Sequence, residues 1–449
     1  MPTWFTKVYW NAFTLWHARD EARLPYRSME ELTAIQNRRV QAIVAHAYET
    51  VSYYREVMDN AGWRPEDFRT AADLTRLPVI TSAQVAAAPE RFLSCRYATR
   101  GGVQLQSSAT SGQAKQIRHD AASVFLSMAY GHRERVVLTQ FTGRTFGYGE
   151  LIMFRPGGVQ TQLRQFYEAH SWVPRSMDFK RSVFAPDGTF ESAVAHINAF
   201  KPDLIRAYGS HVGPLFRWAR ERRVPLFRPK VIVYGGDSMP DADRLLIESQ
   251  LGIPVLSSYS AAEALRLAFQ CERREGFHIC VDQVAVWARD EGGKPVPPGG
   301  RGEIILSNLI NRATVLLNYK LGDVVTLGRA PCACGRTFPT IERVDGRCDD
   351  LVVLPGGQIL HSRTILRNLF KTHGLVQIQV IQEELRRFRL RAVCAAGSDW
   401  DTTRSQLTAA MRAIFGDDLA LDVGQVDAIA PEPGGKVRAV ISHCGSREA

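Results

Sequence analysis

The stretch Ser107-Ser108-Ala109-Thr110-Ser111-Gly112-Gln113-Ala114-Lys115 sets four hydroxyl side chains, a glycine and a lysine within nine positions. Hydroxyls and backbone N–H groups in such a loop can wrap phosphate oxygens; Gly112 permits close backbone approach, and Lys115 adds positive charge. The stretch lacks the Gly-Lys-Ser/Thr ending of a Walker A loop. A second group of residues points to metal chemistry. Cys271 and His278 are separated by six residues, and Cys332 and Cys334 form a Cys-x-Cys pair followed by Gly335. Three thiolates and an imidazole make a tetrahedral Zn²⁺ set with no open position, hence a structural one. Cys280 is an alternative to His278, because strand alternation puts both on one face. Cys348, Cys394 and Cys444 stand apart and read as inert.

The elements that must position these residues follow from periodicity. Residues 29–60 carry apolar positions at helical spacing and predict one or two amphipathic helices ending near Gly62. A helix turn, a short strand at Leu77–Ile80 and a capped helix from Ser82 follow. The middle of the chain alternates strand and helix. A strand at Leu204–Tyr208 precedes a helical run, and a strand at Val231–Tyr234 precedes a Gly-Gly turn and a helix from Pro240. This order predicts an α/β fold with a parallel sheet covered by helices, whose ligands bind at the carboxyl ends of strands. "YGGD" (234–237) and "YSAAE" (259–263) fall there. After Cys271, short alternating runs bounded by Gly and Pro predict antiparallel strands, giving mixed sheets. Beyond Gly346–Asp350, a hairpin-like pair and one helix predict a small, mobile α+β C-terminal domain. The expected division is 1–347 for the large domain and 348–449 for the small one.

Bulk properties narrow the function. A chain of 449 residues is long enough for two to four structural units. No apolar run reaches the length of a membrane-spanning helix, and charges interrupt the aromatic N-terminus too early for a signal peptide. The expectation is a cytoplasmic protein without a membrane partner. The formal net charge of +10 comes from scattered residues, with no nucleic-acid-binding signature, and fits an enzyme of small anionic ligands.

In chain order the sequence presents "SSATSGQAK", "YGGD", "YSAAE", "YKLGD" (319–323), "DGRCDD" (345–350) and "GGKVR" (434–438). This series resembles the adenylate-forming superfamily over nearly the whole chain. The segments "RRVQAIVAHAYETVSYYREVMDNAG", "CERREGFHICVDQVAVWA" and "CACGRTFPTIERVDGRCDDLVVLPGG" are similar to the phenylacetate–coenzyme A ligase family.

The resemblance implies ATP-dependent activation of a carboxylic acid, here an aromatic one, as an acyl-adenylate. Transfer to the thiol of coenzyme A follows; an amine, a hydroxyl or a carrier-protein thiol is the alternative acceptor. Ser108, Thr110, Ser111, Gly112 and Lys115 are then expected on the phosphates, and Tyr259 against the adenine. Gly235, Gly236 and Asp237 would form the wall beside it. Asp323 suits the ribose hydroxyls, with Arg347 donating to ribose or phosphate. Glu263 is expected to hold Mg²⁺. Lys436 is the expected catalytic lysine, a mobile charge on the carboxylate and α-phosphate, and Asp349 the hinge of the C-terminal domain. Gly356 and Gly357 would let the loop after the hinge line a thiol channel. The family has a hydroxyl residue just before the glutamate where this chain has Ala262. That shifts phosphate contact toward Ser260 and the 107–111 hydroxyls. Phe141, Tyr148 and Tyr208 are candidate aromatic walls for the acid, and His211 or Arg206 a polar contact. A homodimer is compatible with all of this.

Overall fold

The computed structural model describes residues 3–97, 101–107, 115–172, 180–185, 189–347, 351–354, 359–395, 397–430 and 437–444. The chain divides into two units. One comprises Met1–Gly147, Pro156–Phe179 and Ser257–Val344; the other comprises Tyr148–Arg155, Lys180–Leu256 and Asp345–Ala449.

In the first unit, the expected helical stretch is two helices, Met29–Thr50 and Ser52–Asn60. A capping box fixes the start: the Glu31 N–H donates to the Ser28 hydroxyl at 3.2 Å, and the Ser28 N–H donates to the Glu31 carboxylate at 3.1 Å. Val51, in an extended conformation, separates the two. Their inner faces bury Val40, Ile43, Val44, Tyr54 and Met58. Each fully buried side chain of this size contributes about 2 kcal/mol. Leu77–Ile80 is not a strand, contrary to expectation. Pro78 has no N–H to give a ladder, and only Ile80 forms an isolated bridge, to Tyr319.

A hairpin of Gly102–Ser107 and Lys115–Asp120 pairs Ser107 with Lys115, so the hydroxyl-rich loop is its tip. The sheet of this unit runs Val284–Arg289, Arg301–Asn308, Tyr319–Leu327, Thr340–Arg347, Phe277–Ile279, Ala268–Phe269, Val255–Tyr259. The pairs Val284–Arg289 with Arg301–Asn308 and Arg301–Asn308 with Tyr319–Leu327 are antiparallel, as the alternating runs predict.

In the second unit the strands Val231–Gly235, Leu204–Ala207, Glu150–Met153 and Arg181–Val183 lie side by side in that order, and their successive pairs from Val231–Gly235's neighbour onward are parallel. Helices Phe190–Phe200 and Gly209–Glu221 supply Ile197, Leu215 and Phe216 to a core with Ile205 and Ile232. Residues past Asp345 in this unit carry a four-stranded sheet ordered Ala420–Gln425, Arg387–Cys394, Leu375–Glu384, Val440–Ser442. Helices Ser362–Leu369 and Trp400–Phe415 pack on it around Phe388, Leu390, Leu407 and Met411. The whole is a mixed α/β fold with an α+β C-terminal part.

Candidate active site

Lys115 opens the second strand of the hairpin, and its side chain is buried. Its ammonium lies 2.8 Å from the Glu263 carboxylate and donates to the Tyr319 hydroxyl at 2.6 Å. That hydroxyl donates in turn to Glu263 at 3.1 Å. Glu263 and Tyr319 are also buried. The strand Tyr319–Leu327 delivers the phenol, the hairpin the ammonium, and the loop after Val255–Tyr259 the carboxylate. A buried carboxylate with both a cation and a hydroxyl as partners is fixed in place by them.

The loop carrying Glu263 is held from three sides. Tyr259, at its start, donates its hydroxyl to the Asp323 carboxylate at 2.6 Å. Asn308 donates to the Glu263 carbonyl at 2.9 Å. His119, fully buried on the hairpin, bonds the Ala262 carbonyl through Nε2 at 2.7 Å. A carbonyl only accepts, so Nε2 carries the proton and Nδ1 keeps the lone pair. Nδ1 is sealed from solvent without a partner among the described residues. Burial holds the His119 pKa below its ordinary value and keeps the ring neutral, against the opposing pull of the Ala262 carbonyl. Sequence reasoning missed His119 and Tyr319. No local pattern marks His119, and Tyr319 opens the YKLGD motif with no role read for it; the fold brings them to residues 262 and 263.

In the second unit, "YGGD" closes the strand Val231–Gly235. Gly236 adopts φ +82°, which a side chain resists. Asp237 accepts from the Gly209 N–H at 2.6 Å, from the Ser210 N–H at 3.4 Å and from the Ser210 hydroxyl. It thus meets unpaired donors at the start of helix Gly209–Glu221, where a negative charge also suits the helix dipole. Gly209 has no room for a side chain: a Cβ would stand 2.6 Å from the Met239 nitrogen. Tyr148 and Tyr208 are buried in this unit, and Tyr208 meets the Phe154 ring edge-on at 4.9 Å. The His211 ring lies 5.8 Å from Phe190, and its Nε2 is buried without a partner among the described residues. Burial brings the His211 pKa down to about 4. Arg206 and Arg181 both pair with the buried Glu150, each at 2.7 Å, which makes Arg206 a structural cation. Phe141 lies on the helix Ala121–Thr142 of the first unit.

Cys271, His278, Cys332 and Cys334 converge, each offering a ligand atom within 4.8 Å of the others. The Cys271 and Cys332 sulfurs are 3.8 Å apart, and the Cys334 sulfur is 3.4 Å from His278 Nε2. Tetrahedral Zn²⁺ with ordinary bond lengths has S···S edges of about 3.8 Å and S···N edges of about 3.6 Å, so this donor set fits it. Gly335, at φ +81°, turns the Cys-x-Cys pair. Burial and the Arg336 cation bring the His278 pKa to about 4, leaving the imidazole neutral, as a ligand must be. Burial opposes ionisation of Cys334, but bonds from the Arg336 N–H and side chain outweigh it and hold the thiol below its ordinary value. Cys280 does not join the group. It is fully buried, and burial pushes its thiol up to about 12.

With these features in place, the likeness to known proteins is informative. The chain is 27% identical over 342 residues to the phenylacetate-coenzyme A ligase of Thermus thermophilus, which is 73% of either chain. The Escherichia coli phenylacetate-coenzyme A ligase is 25% identical over 354 residues, 75% of this chain and 76% of its own. The chain is thus similar to phenylacetate-coenzyme A ligases over about three quarters of its length. It is also similar to Protein CapK of Staphylococcus aureus, 21% identical over 428 residues, 93% of this chain and 90% of that one. The CapK C-terminal domain family matches residues 353–443. Among solved structures, a 2-hydroxyisobutyryl-CoA ligase in the postadenylation state has the same fold, with a TM-score of 0.74 at 19% identity, covering 93% of this chain and 91% of that one.

Of the family residues named from sequence, Lys115, Tyr259, Ser260, Glu263 and Asp323 lie in the first unit, and Lys115 meets Glu263 as Tyr259 meets Asp323. Gly235, Gly236 and Asp237 lie in the second. Arg347 is the last residue of the strand Thr340–Arg347. Ser108, Thr110, Ser111, Gly112, Asp349, Gly356, Gly357, Cys348 and Lys436 lie outside the described residues.

Proposed function

We propose that this protein activates a carboxylic acid with ATP and passes the acyl group to the thiol of coenzyme A. The acid carboxylate attacks the α-phosphate, forming the acyl–phosphate bond and releasing pyrophosphate. The thiolate then attacks the acyl carbon, and AMP leaves. The observation that carries the proposal is the buried Lys115–Glu263–Tyr319 cluster, held beside the Tyr259–Asp323 pair in a chain similar to these ligases. The names of the relatives support the same activity, since they are coenzyme A ligases.

No residue needs to act as a covalent nucleophile, so the work is positioning and charge stabilisation. Tyr259 would meet the adenine, and Asp323 and Arg347 the ribose. The 235–237 turn would stand beside the base, with Ser108, Thr110, Ser111, Gly112 and Ser260 on the phosphates. Glu263 would hold Mg²⁺, which supplies charge neutralisation to the phosphates. Lys115, whose ammonium pairs with Glu263, would then turn toward the same phosphates. Lys436 would stabilise charge in transit, with Asp349 as the hinge between 1–347 and 348–449. Cys271, His278, Cys332 and Cys334 would hold a structural Zn²⁺. An aromatic acid is the proposed substrate, with Tyr208, Tyr148, Phe141 and His211 as candidate pocket residues. The cytoplasm, which supplies both ATP and coenzyme A, is the proposed location.

The alternative acceptor is an amine, a hydroxyl or a carrier-protein thiol. The test is AMP and pyrophosphate release from a panel of carboxylic acids, with and without coenzyme A. The expected result is acid-dependent pyrophosphate release, AMP release stimulated by coenzyme A, and loss of both in Lys436→Ala. AMP formed only with an amine or hydroxyl acceptor would exclude coenzyme A; no acid-dependent release with any acid would exclude adenylation.

A further inference from the structure

The N-terminal helix Trp4–Ala18 is the wrong way round for a soluble helix. None of its residues is buried, and its solvent side carries Trp4, Phe5, Val8, Tyr9, Leu15 and Trp16. These recur at helical spacing and form one stripe. Phe5 is 77% exposed, and Trp4 and Trp16 are each 62% exposed. The opposite side is tied down: Trp10 stacks on Phe125 of the helix Ala121–Thr142 at 4.5 Å. Trp172, itself exposed, extends the stripe, its ring 5.9 Å from Trp4. An aromatic face of this extent marks an interaction surface.

We propose that this face docks on an anionic lipid bilayer, with the helix lying in the plane of the headgroups. Trp and Tyr, which combine an apolar ring with a polar tip, are the residues that favour that boundary. A second copy of the chain is the weaker occupant. Fifteen helical residues span about 22 Å, so a stripe about 10 Å wide offers roughly 200–300 Å², against roughly 800 Å² per partner in a stable dimer. A bilayer sets no such minimum. Charge points the same way. The chain carries a formal net charge of +10. Arg23 and Arg27 follow the helix and make no ion pair among the described residues. Lys7 lies over the Trp172 ring at 6.0 Å. A cavity of about 170 Å³ opens at the Trp16 end, lined also by Arg19, Arg27 and Arg39. Arg19 pairs with Asp20, Arg39 with Asp282 and Tyr130, and Glu21 with Arg133, which leaves Arg27 as the cation of this lining without an ion pair among the described residues. No described helix is long and apolar enough to cross a membrane, so contact lies at the surface. This proposal departs from the sequence-based expectation of no membrane partner.

The test is co-sedimentation of the full chain with phosphatidylcholine vesicles containing about one third phosphatidylglycerol, compared with pure phosphatidylcholine. The wild type is expected to bind the anionic vesicles preferentially and to be released by salt. Phe5→Ser/Trp16→Ser should weaken binding by about tenfold or more, and Arg23→Gln/Arg27→Gln should erase the preference for anionic lipid. Trp4→Ser/Tyr9→Ser serves as a second apolar variant should the first fail to fold. Absence of wild-type binding to both vesicles overturns the proposal, as does undiminished binding by the folded apolar variants. A wild-type dimer that those variants dissolve, without vesicle binding, also overturns it and assigns the face to a second copy.

Discussion

Lys115 and Glu263 stand 148 positions apart in sequence and meet at 2.8 Å in the interior of the first unit, both in contact with the Tyr319 hydroxyl. The cluster links the strand that leaves the hydroxyl-rich loop to the loop that follows Tyr259. Removing one charge leaves the other buried and unpaired, at a cost of about 3–5 kcal/mol. Glu263→Gln and Lys115→Met are therefore each expected to lower the urea midpoint clearly, and the double variant to lose less than the sum of the two. Tyr319→Phe removes two hydrogen bonds and should cost about 1–3 kcal/mol. If Glu263 serves the metal–nucleotide complex, Mg²⁺ and ATP will raise the melting temperature of the wild type and not that of Glu263→Gln. An equal rise in both would separate Glu263 from nucleotide binding while leaving the stability prediction intact.

His119 fixes the position of the residue before Glu263. Its Nε2–H is the donor to the Ala262 carbonyl at 2.7 Å, in a site closed to water. His119→Phe keeps the ring volume and removes the donor. The expected loss is about 1–3 kcal/mol of stability, because the carbonyl is left without that donor. A positioning role predicts more: KM for ATP should rise severalfold with a smaller change in kcat, and His119→Gln should recover part of the loss. A stability defect with unchanged KM would make His119 structural only.

The sulfur cluster predicts a metal-dependent fold. Cys271 and Cys332 belong to separate segments, and their 3.8 Å approach pins the strand Phe277–Ile279 region to the 332–335 turn. Purified protein is expected to carry about one Zn²⁺ per chain by elemental analysis. Cys334→Ser should lower both metal content and melting temperature, whereas Cys280→Ser should leave the metal content unchanged, since Cys280 lies outside the group. A chelator should destabilise the wild type more than Cys334→Ser. Full-length protein without metal and with unchanged stability under chelation would rule out the site.

Much of this architecture was legible in the residues because the signals are local. Gly-Gly before Asp237, short apolar runs at 204–208 and 231–234, and the capped start at Ser82 each act within a few residues. The motif order gave the resemblance to coenzyme A ligases, and the cysteine spacing gave a candidate metal set but left His278 and Cys280 open. Strand parity alone could not separate them. The separation comes from packing, which surrounds Cys280 with the Arg133–Asp282 charges and places His278 against Cys334. Leu77–Ile80 misled because its apolar composition suits a strand, while Pro78 cannot donate to one. His119, the role of Tyr319 and the outward aromatic stripe of the first helix were not legible. A helix pattern gives the spacing of apolar residues but not which side the rest of the chain will cover.

His211 makes stability depend on pH in a definite direction. Its pKa falls from 6.5 to about 4, entirely through burial. Between those values the unfolded chain binds a proton that the folded chain refuses. Stability from this residue is therefore fully present above 6.5 and is lost as pH falls toward 4, after which no further loss occurs. The shift corresponds to a loss of about 3 kcal/mol. His211→Phe keeps an aromatic ring beside Phe190 and cannot be protonated. Urea unfolding of both proteins across that range should give a shallower pH slope for the variant and a higher midpoint at the acid end. His119 keeps its own slope of the same sign in both proteins, so the difference between them isolates His211. Parallel slopes in the two proteins would mean that the His211 ring is hydrated in solution and titrates in the folded state as it does in the unfolded chain.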